Sequence, residues 1–88
     1  MTVLAPPLHY DLKGLKCPLP VLKTRKKLAQ LAPRAELQIE TTDPLAGIDI
    51  PHFCDQEGHA LLSTERTDTG HRFLIRRADE LKADTDPF

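Results

Sequence analysis

Apolar and polar residues alternate in four short stretches of this chain and recur at helical spacing in two others. His9 to Lys13 places Tyr10 and Leu12 on one face and His9, Asp11 and Lys13 on the other, the pattern of a short strand that Gly14 ends. From Pro18 to Ala32 the period changes. Val21, Leu22, Leu28, Ala29 and Ala32 fall along one helical stripe, while Lys23, Lys26, Lys27 and Gln30 lie mostly on the opposite side. Pro33 predicts the end of this helix. Glu36 to Thr42 alternates again, with Leu37, Ile39 and Thr41 facing inward and Glu36, Gln38 and Glu40 outward.

Asp43-Pro44 has the form of a capped turn, and Asp49-Ile50-Pro51 repeats it. The expectation is an irregular turn from Pro44, then a short helix from about Ile50 to Glu57, stopped by Gly58, with Ile50, Phe53 and Cys54 buried. Ala60 to Arg66 and His71 to Arg77 read as strands joined by the hairpin turn Asp68-Thr69-Gly70. Met1 to Leu8 reads as a loose arm and Ala78 to Phe88 as a frayed polar tail. The predicted order is β-α-β-α-β-β. It makes an α/β (α+β) two-layer sandwich, with a four-stranded mixed sheet and two helices on one face.

Composition adds bounds to this picture. At 88 residues there is room for one domain, with an ordered core over about residues 9–77. The chain has no Trp, one Tyr and three Phe, so aliphatic packing must carry the core. Twelve Lys+Arg against thirteen Asp+Glu leave a net charge of -1, a balance that favours neither nucleic acid nor membrane. No apolar run approaches a membrane span of about 20 residues. The first residues lack the pattern of a secretory signal, so the expectation is a cytoplasmic protein whose two cysteines are thiols.

The chemistry concentrates at Lys16-Cys17-Pro18-Leu19-Pro20, where strand gives way to helix. A helix N-terminus favours an anion, and Lys16 and Lys13 add positive charge, so this setting predicts a thiol more acidic than a free one. Cys17 stands at or next to the N-cap; Pro18 and Pro20 remove two N–H groups from the first turn and stiffen it, and with Cys17 as the cap Leu19 N–H is the remaining donor at the capping position. His9, His52, His59 and His71 have no telling spacing to Cys17 for a hydrolase, and Cys17 and Cys54 are too far apart for a Cys-x-x-Cys redox pair. Without an evident base, a group carrier suits the cysteine better than a hydrolase. Cys17, Cys54, His52 and His59 have no recognised metal-ligand spacing, and no cofactor is expected. Cys54 reads as a buried small hydrophobe or, alternatively, a second thiol in relay. Asp43 reads most simply as a cap, and His59 as closing the turn after Gly58.

Gly14-Leu15-Lys16-Cys17-Pro18-Leu19-Pro20, Asp43-Pro44, Asp49-Ile50-Pro51-His52-Phe53-Cys54 and Gly58-His59 together resemble the TusA family of sulfur-carrier proteins, also called SirA-like. The resemblance, which includes the Cys-Pro-x-Pro motif, runs from about His9 to Arg77. It implies the same β-α-β-α-β-β sandwich. It also implies that Cys17 accepts sulfane sulfur as a persulfide from a cysteine desulfurase or a rhodanese-like donor. The sulfur would then pass to a downstream relay protein of the TusBCD/DsrE-like kind, with an indirect link to tRNA through 2-thiouridine synthesis. Other members resemble carriers in sulfur oxidation or molybdenum-cofactor supply. Lys16, Pro18, Leu19 and Pro20 would support the sulfur. Lys23, Arg25, Lys26 and Asp43 would meet the partner, Arg25 and Asp43 by alignment with family positions that contact the desulfurase. The residue between the two prolines is commonly acidic in members of the tRNA pathway, and here it is Leu19. A regulatory or adaptor module using the same surface is the alternative from another class.

Overall fold

The computed structural model describes residues 6–80 of the chain. The outer parts of the expected arm and tail, residues 1–5 and 81–88, lie outside the described residues. Strands β1 (Leu8–Leu12), β2 (Glu36–Thr41), β3 (Ala60–Arg66) and β4 (His71–Arg76) form one mixed sheet in the order β1-β2-β4-β3. Helices α1 (Leu19–Ala29) and α2 (Ala46–Glu57) complete the predicted β-α-β-α-β-β order.

β1 and β2 are parallel, with Leu8 beside Leu37 and Leu12 beside Thr41. That pairing requires a crossover, which α1 supplies. β4 runs antiparallel to both β2 and β3. Alternation along β2 is strict: Leu37, Ile39 and Thr41 are buried and the residues between them half-buried. The buried face meets Leu28 of α1 and Ala46, Ile50, Phe53 and Cys54 of α2, and Leu12, Phe73 and Ile75 complete the core. On the other face a row of charge crosses the sheet. Lys13 Nζ meets Glu40 Oε1 at 3.0 Å, Arg72 meets Glu40 Oε2 at 2.8 Å, and Arg72 reaches Glu65 Oε1 at 3.1 Å.

Both helices depart from their sequence expectations. α1 ends at Ala29, short of Ala32, and its buried stripe is Pro20, Thr24 and Leu28, one every four residues. Val21 packs at the edge of the core, while Ala29 and Ala32 are exposed. The early end follows from Pro33, which has no N–H for the Ala29 carbonyl and disfavours helical backbone at Ala32. The chain tightens beforehand, with Gln30 N–H on Lys27 O and Leu31 N–H on Leu28 O, each three residues back.

α2 begins one turn sooner than the expected Ile50, and Pro51 lies inside it. Its first turn is secured by Ala46 N–H on Asp43 O at 3.0 Å and Asp49 N–H on Leu45 O at 2.8 Å. Pro51 is the sixth residue of the helix and has no N–H to bond the Gly47 carbonyl. Gly47 also lies against His71, whose ring would be 3.1 Å from an added Cβ. The expected buried trio Ile50, Phe53 and Cys54 is buried, joined by Ala46. Gly58 closes the helix in the left-handed region at φ 80°, and His59 N–H returns to Cys54 O at 2.9 Å.

Candidate functional site

Because β1 and β2 are parallel, the loops that follow them leave the sheet at the same end. Gly14 (φ 87°) turns the chain out of β1, and its N–H donates to Thr42 Oγ1 at 2.8 Å. Cys17 follows on an exposed segment whose backbone N–H donates to Asp43 Oδ2 at 3.0 Å. The Cys17 thiol donates to Asp49 Oδ2 at 3.3 Å. Among the described residues, Asp49 is the hydrogen-bond partner of this sulfur. The loop after β1 is thus stitched to the loop and first helical turn after β2, with the thiol at the seam.

Helix α1 opens just beyond, with Pro18 as its N-cap and Pro20 buried in the first turn. The Cys17–Pro18 peptide is cis. Cys17 lies directly before the cap, at the joint where the sequence places it. Two expectations about this joint are corrected. Leu19 N–H is not turned to the sulfur; it donates to Lys16 O at 2.8 Å, closing a tight turn. The thiol is not made more acidic. Its hydrogen bond to Asp49 raises its pKa above the ordinary value, reinforced by desolvation and by the negative charges of Asp49 and Asp43. A hydrogen bond donated by the neutral form opposes ionisation, and nearby anions oppose it further. Lys13, expected to help the anion, is engaged by Asp11 and Glu40 on the open face of the sheet.

Asp43 is likewise not a side-chain cap. The N-cap of α2 is Leu45, with no side-chain capping bond, and the Asp43 carboxylate serves Cys17 instead. Asp49 is the residue that sequence reasoning passes over as a helix-start signal. Its only mark in the sequence is the Asp-Ile-Pro stretch within the family resemblance.

The basic residues of α1 divide. Lys23 and Lys26 are exposed. Lys27 Nζ sits 4.8 Å from the centre of the Tyr10 ring. Arg25 turns towards α2, 3.6 Å from Glu57 Oε2 and over the Phe53 ring. Beside the thiol, a groove of about 220 Å³ runs between the helices, with Pro18, Val21 and Leu22 on one wall and Asp49, His52 and Phe53 on the other. Exposed apolar side chains surround this end of the molecule: Leu19, Leu45 and Ile48, the last 69 % exposed.

The second cysteine is of another kind. Cys54 is buried at 2 % exposure, and burial pushes its thiol up to about 12, which fits a core residue rather than a second relay thiol. His59 is buried too, and its Nδ1 accepts Ala78 N–H at 3.0 Å, so it fastens the segment after β4 as well as closing a turn. Among the described residues no group of three or more His, Cys, Asp or Glu could hold a metal ion, and no helix is long and apolar enough to cross a membrane.

The chain is thus a small two-layer α+β protein that presents one exposed thiol at the mouth of a helix, beside an interhelical groove. Its family is shown by comparison. The family model described as Sulfurtransferase TusA matches residues 9–77, and the chain belongs to that family. Membership carries a role in sulfur transfer and in relay with other proteins.

Proposed function

We propose that the protein is a persulfide carrier, with Cys17 as the atom that receives and hands on sulfur. One observation carries the reading: in a chain of the TusA family, the exposed thiol is the one at the mouth of α1, and the other cysteine is core. In loading, Cys17 Sγ bonds to the outer sulfur of a donor persulfide. The donor's S–S bond breaks, and its inner sulfur leaves as a thiolate with the electron pair. Handing on repeats the exchange with the roles reversed. Neither step needs a cofactor.

The donor in this reading is a cysteine desulfurase or a rhodanese-like protein, and the receiver a relay protein of the TusBCD/DsrE-like kind. Such partners would dock on the end that carries Cys17, the interhelical groove and the exposed Leu19, Leu45 and Ile48. Lys23 and Lys26 beside it would speed encounter with an acidic partner surface, with Arg25 and Asp43 at the contact. Lys16, Pro18, Leu19 and Pro20 form the mount of the sulfur. The unit acting here is one domain, working in the cytoplasm; tRNA 2-thiouridine is one destination for its sulfur, with sulfur oxidation and molybdenum-cofactor supply as the alternatives.

The test is intact-mass measurement after incubation with a cysteine desulfurase and cysteine, and separately with a loaded rhodanese-like protein. The native protein should gain one sulfur and Cys17→Ser none; equal gain in both rejects the site. If Cys17→Ser instead keeps full function in cells while Arg25→Glu loses it, the protein is an adaptor. Loss of tRNA 2-thiouridine on deletion tests the destination. Retained 2-thiouridine redirects it to sulfur oxidation or molybdenum-cofactor supply.

A further inference from the structure

The sulfur of Cys17 has carboxylates, not cations, as its nearest charged neighbours. Asp49 Oδ2 accepts from the thiol at 3.3 Å and Asp43 Oδ2 from the backbone N–H of the same residue at 3.0 Å. The other charged or titratable groups near this end are placed differently. Lys13 is held by Asp11 and Glu40, Arg25 meets Glu57, His52 lines the groove wall, and Lys16 is the exposed chain neighbour. Such a setting is the reverse of one built to hold a stable sulfur anion.

We propose that Asp49 is a positioning residue that tells the two states of Cys17 apart: its carboxylate accepts the hydrogen bond of the unloaded thiol and opposes the loaded, anionic sulfur with like charge. The inference rests on the carrier reading above. Written in full, loading is Cys17–SH + R–S–SH → Cys17–S–SH + R–SH. The Sγ–S bond forms, the donor S–S bond breaks, and the proton released by Sγ ends on the departing thiolate. No outside oxidant or reductant enters.

Before loading, Sγ–H donates to Asp49. After loading, a sulfur stands where that proton stood, so Sγ has nothing to donate. The ionisable proton now belongs to the outer sulfur, and a persulfide gives up its proton more readily than a thiol does. The resulting anion finds no counter-charge at Asp49 and must turn away from Oδ2. Towards solvent is the side from which a partner can reach it. Asp49 therefore keeps the empty carrier as an unreactive thiol and turns the anionic outer sulfur of the loaded carrier away from itself.

The test compares wild type, Asp49→Asn and Asp49→Glu in two measurements, with circular dichroism to confirm folding. In the first, alkylation of unloaded Cys17 by iodoacetamide is followed by intact mass across pH. Asp49→Asn should shift the profile to lower pH and speed alkylation at pH 7 by about threefold or more, because the thiolate is the nucleophile. Asp49→Glu, which keeps the charge, should return the profile towards wild type. In the second, each protein is loaded and the same alkylation is followed on its outer sulfur across pH; the persulfide of Asp49→Asn should react at lower pH than that of wild type, because the like charge opposing its anion is gone.

An unmoved profile in a folded Asp49→Asn, whether of the unloaded thiol or of the loaded persulfide, overturns the proposal. Should that variant not fold, the native protein still decides: the Cys17 thiol, followed by the 13C shift of its Cβ, must titrate above a cysteine in an unfolded peptide, and titration at or below it overturns the proposal. The alkylation profile is read on unloaded protein, so failure of the carrier reading shows separately, as wild type that takes up no sulfur.

Discussion

The backbone N–H of Cys17 donates to the Asp43 carboxylate at 3.0 Å, joining residues 26 apart in sequence. Together with Gly14 N–H on Thr42 Oγ1 it ties the loop that carries the sulfur to the loop after β2. Asp43→Ala removes the acceptor from one of these ties and a negative charge from the neighbourhood of the thiol. The expected outcome is a loss of about 1 kcal/mol in stability and a Cys17 alkylation profile moved to lower pH, by less than in Asp49→Asn. Urea unfolding and the alkylation assay read the two effects. An unchanged profile would show that the Asp43 charge does not act on the sulfur.

Gly70 is fixed by close approach, not by an unusual dihedral. A Cβ added there would lie 1.9 Å from the Thr41 carbonyl oxygen and 2.7 Å from Thr42 Cα, both backbone atoms that cannot swing aside. Gly70→Ala must push the hairpin turn away from the end of β2. The expected cost is about 3 kcal/mol, at the upper end for overpacking. The urea midpoint measures it, and a midpoint within error of wild type would refute the contact.

Thr24 is fully buried in the middle of α1, and its hydroxyl has no protein partner among the described residues. A buried hydroxyl without a partner costs free energy that an isosteric methyl does not. Thr24→Val should therefore stabilise the protein by about 1 kcal/mol, whereas the same change at a satisfied threonine would destabilise it. Chemical denaturation of the two proteins side by side decides the sign.

His59 contributes a pH dependence of stability. Burial, the leading cause, lowers its pKa in the folded protein below the ordinary histidine value, and its Nδ1 must be unprotonated to accept Ala78 N–H. The unfolded chain then binds the proton more readily than the folded one. The stability contribution is present in full above the unfolded pKa, about 6.5. It is lost as pH falls from there through the folded-state value. Urea midpoints between pH 7.5 and pH 5 should decline more steeply for wild type than for His59→Gln. Parallel declines would exclude His59 as the source.

The strands were largely legible because one face of the sheet is buried and the other carries charge. Leu37, Ile39 and Thr41 alternate with Glu36, Gln38 and Glu40, and only a strand satisfies that pattern. The α1 stripe was harder to see. Two of its three members are a proline and a threonine, residue types that carry little apolar signal, while the more apolar Val21 and Leu22 lie to one side on the groove wall. The start of α2 was hidden for a related reason: Asp49 followed by Pro51 has the pattern of a helix opening, yet the turn before it is already helical. At the site, the exposed cysteine and its prolines could be read from local chemistry. The acidity of the thiol could not, because Asp49 lies 32 residues away in the chain and only the fold brings its charge to the sulfur.

The pairing of β1 with β2 gives the molecule two poles of different character. At one stand the thiol, its two acidic neighbours and the hairpin turn pressed against Thr41. At the other, Arg34 N–H bonds Arg77 O and Arg77 N–H bonds Ala35 O, where the turn after α1 meets the end of β4. A label, a surface anchor or an inserted peptide grafted into the exposed 32–34 segment would occupy the pole remote from sulfur. A protein tethered there keeps Cys17 open to solvent, as the proposed exchange requires.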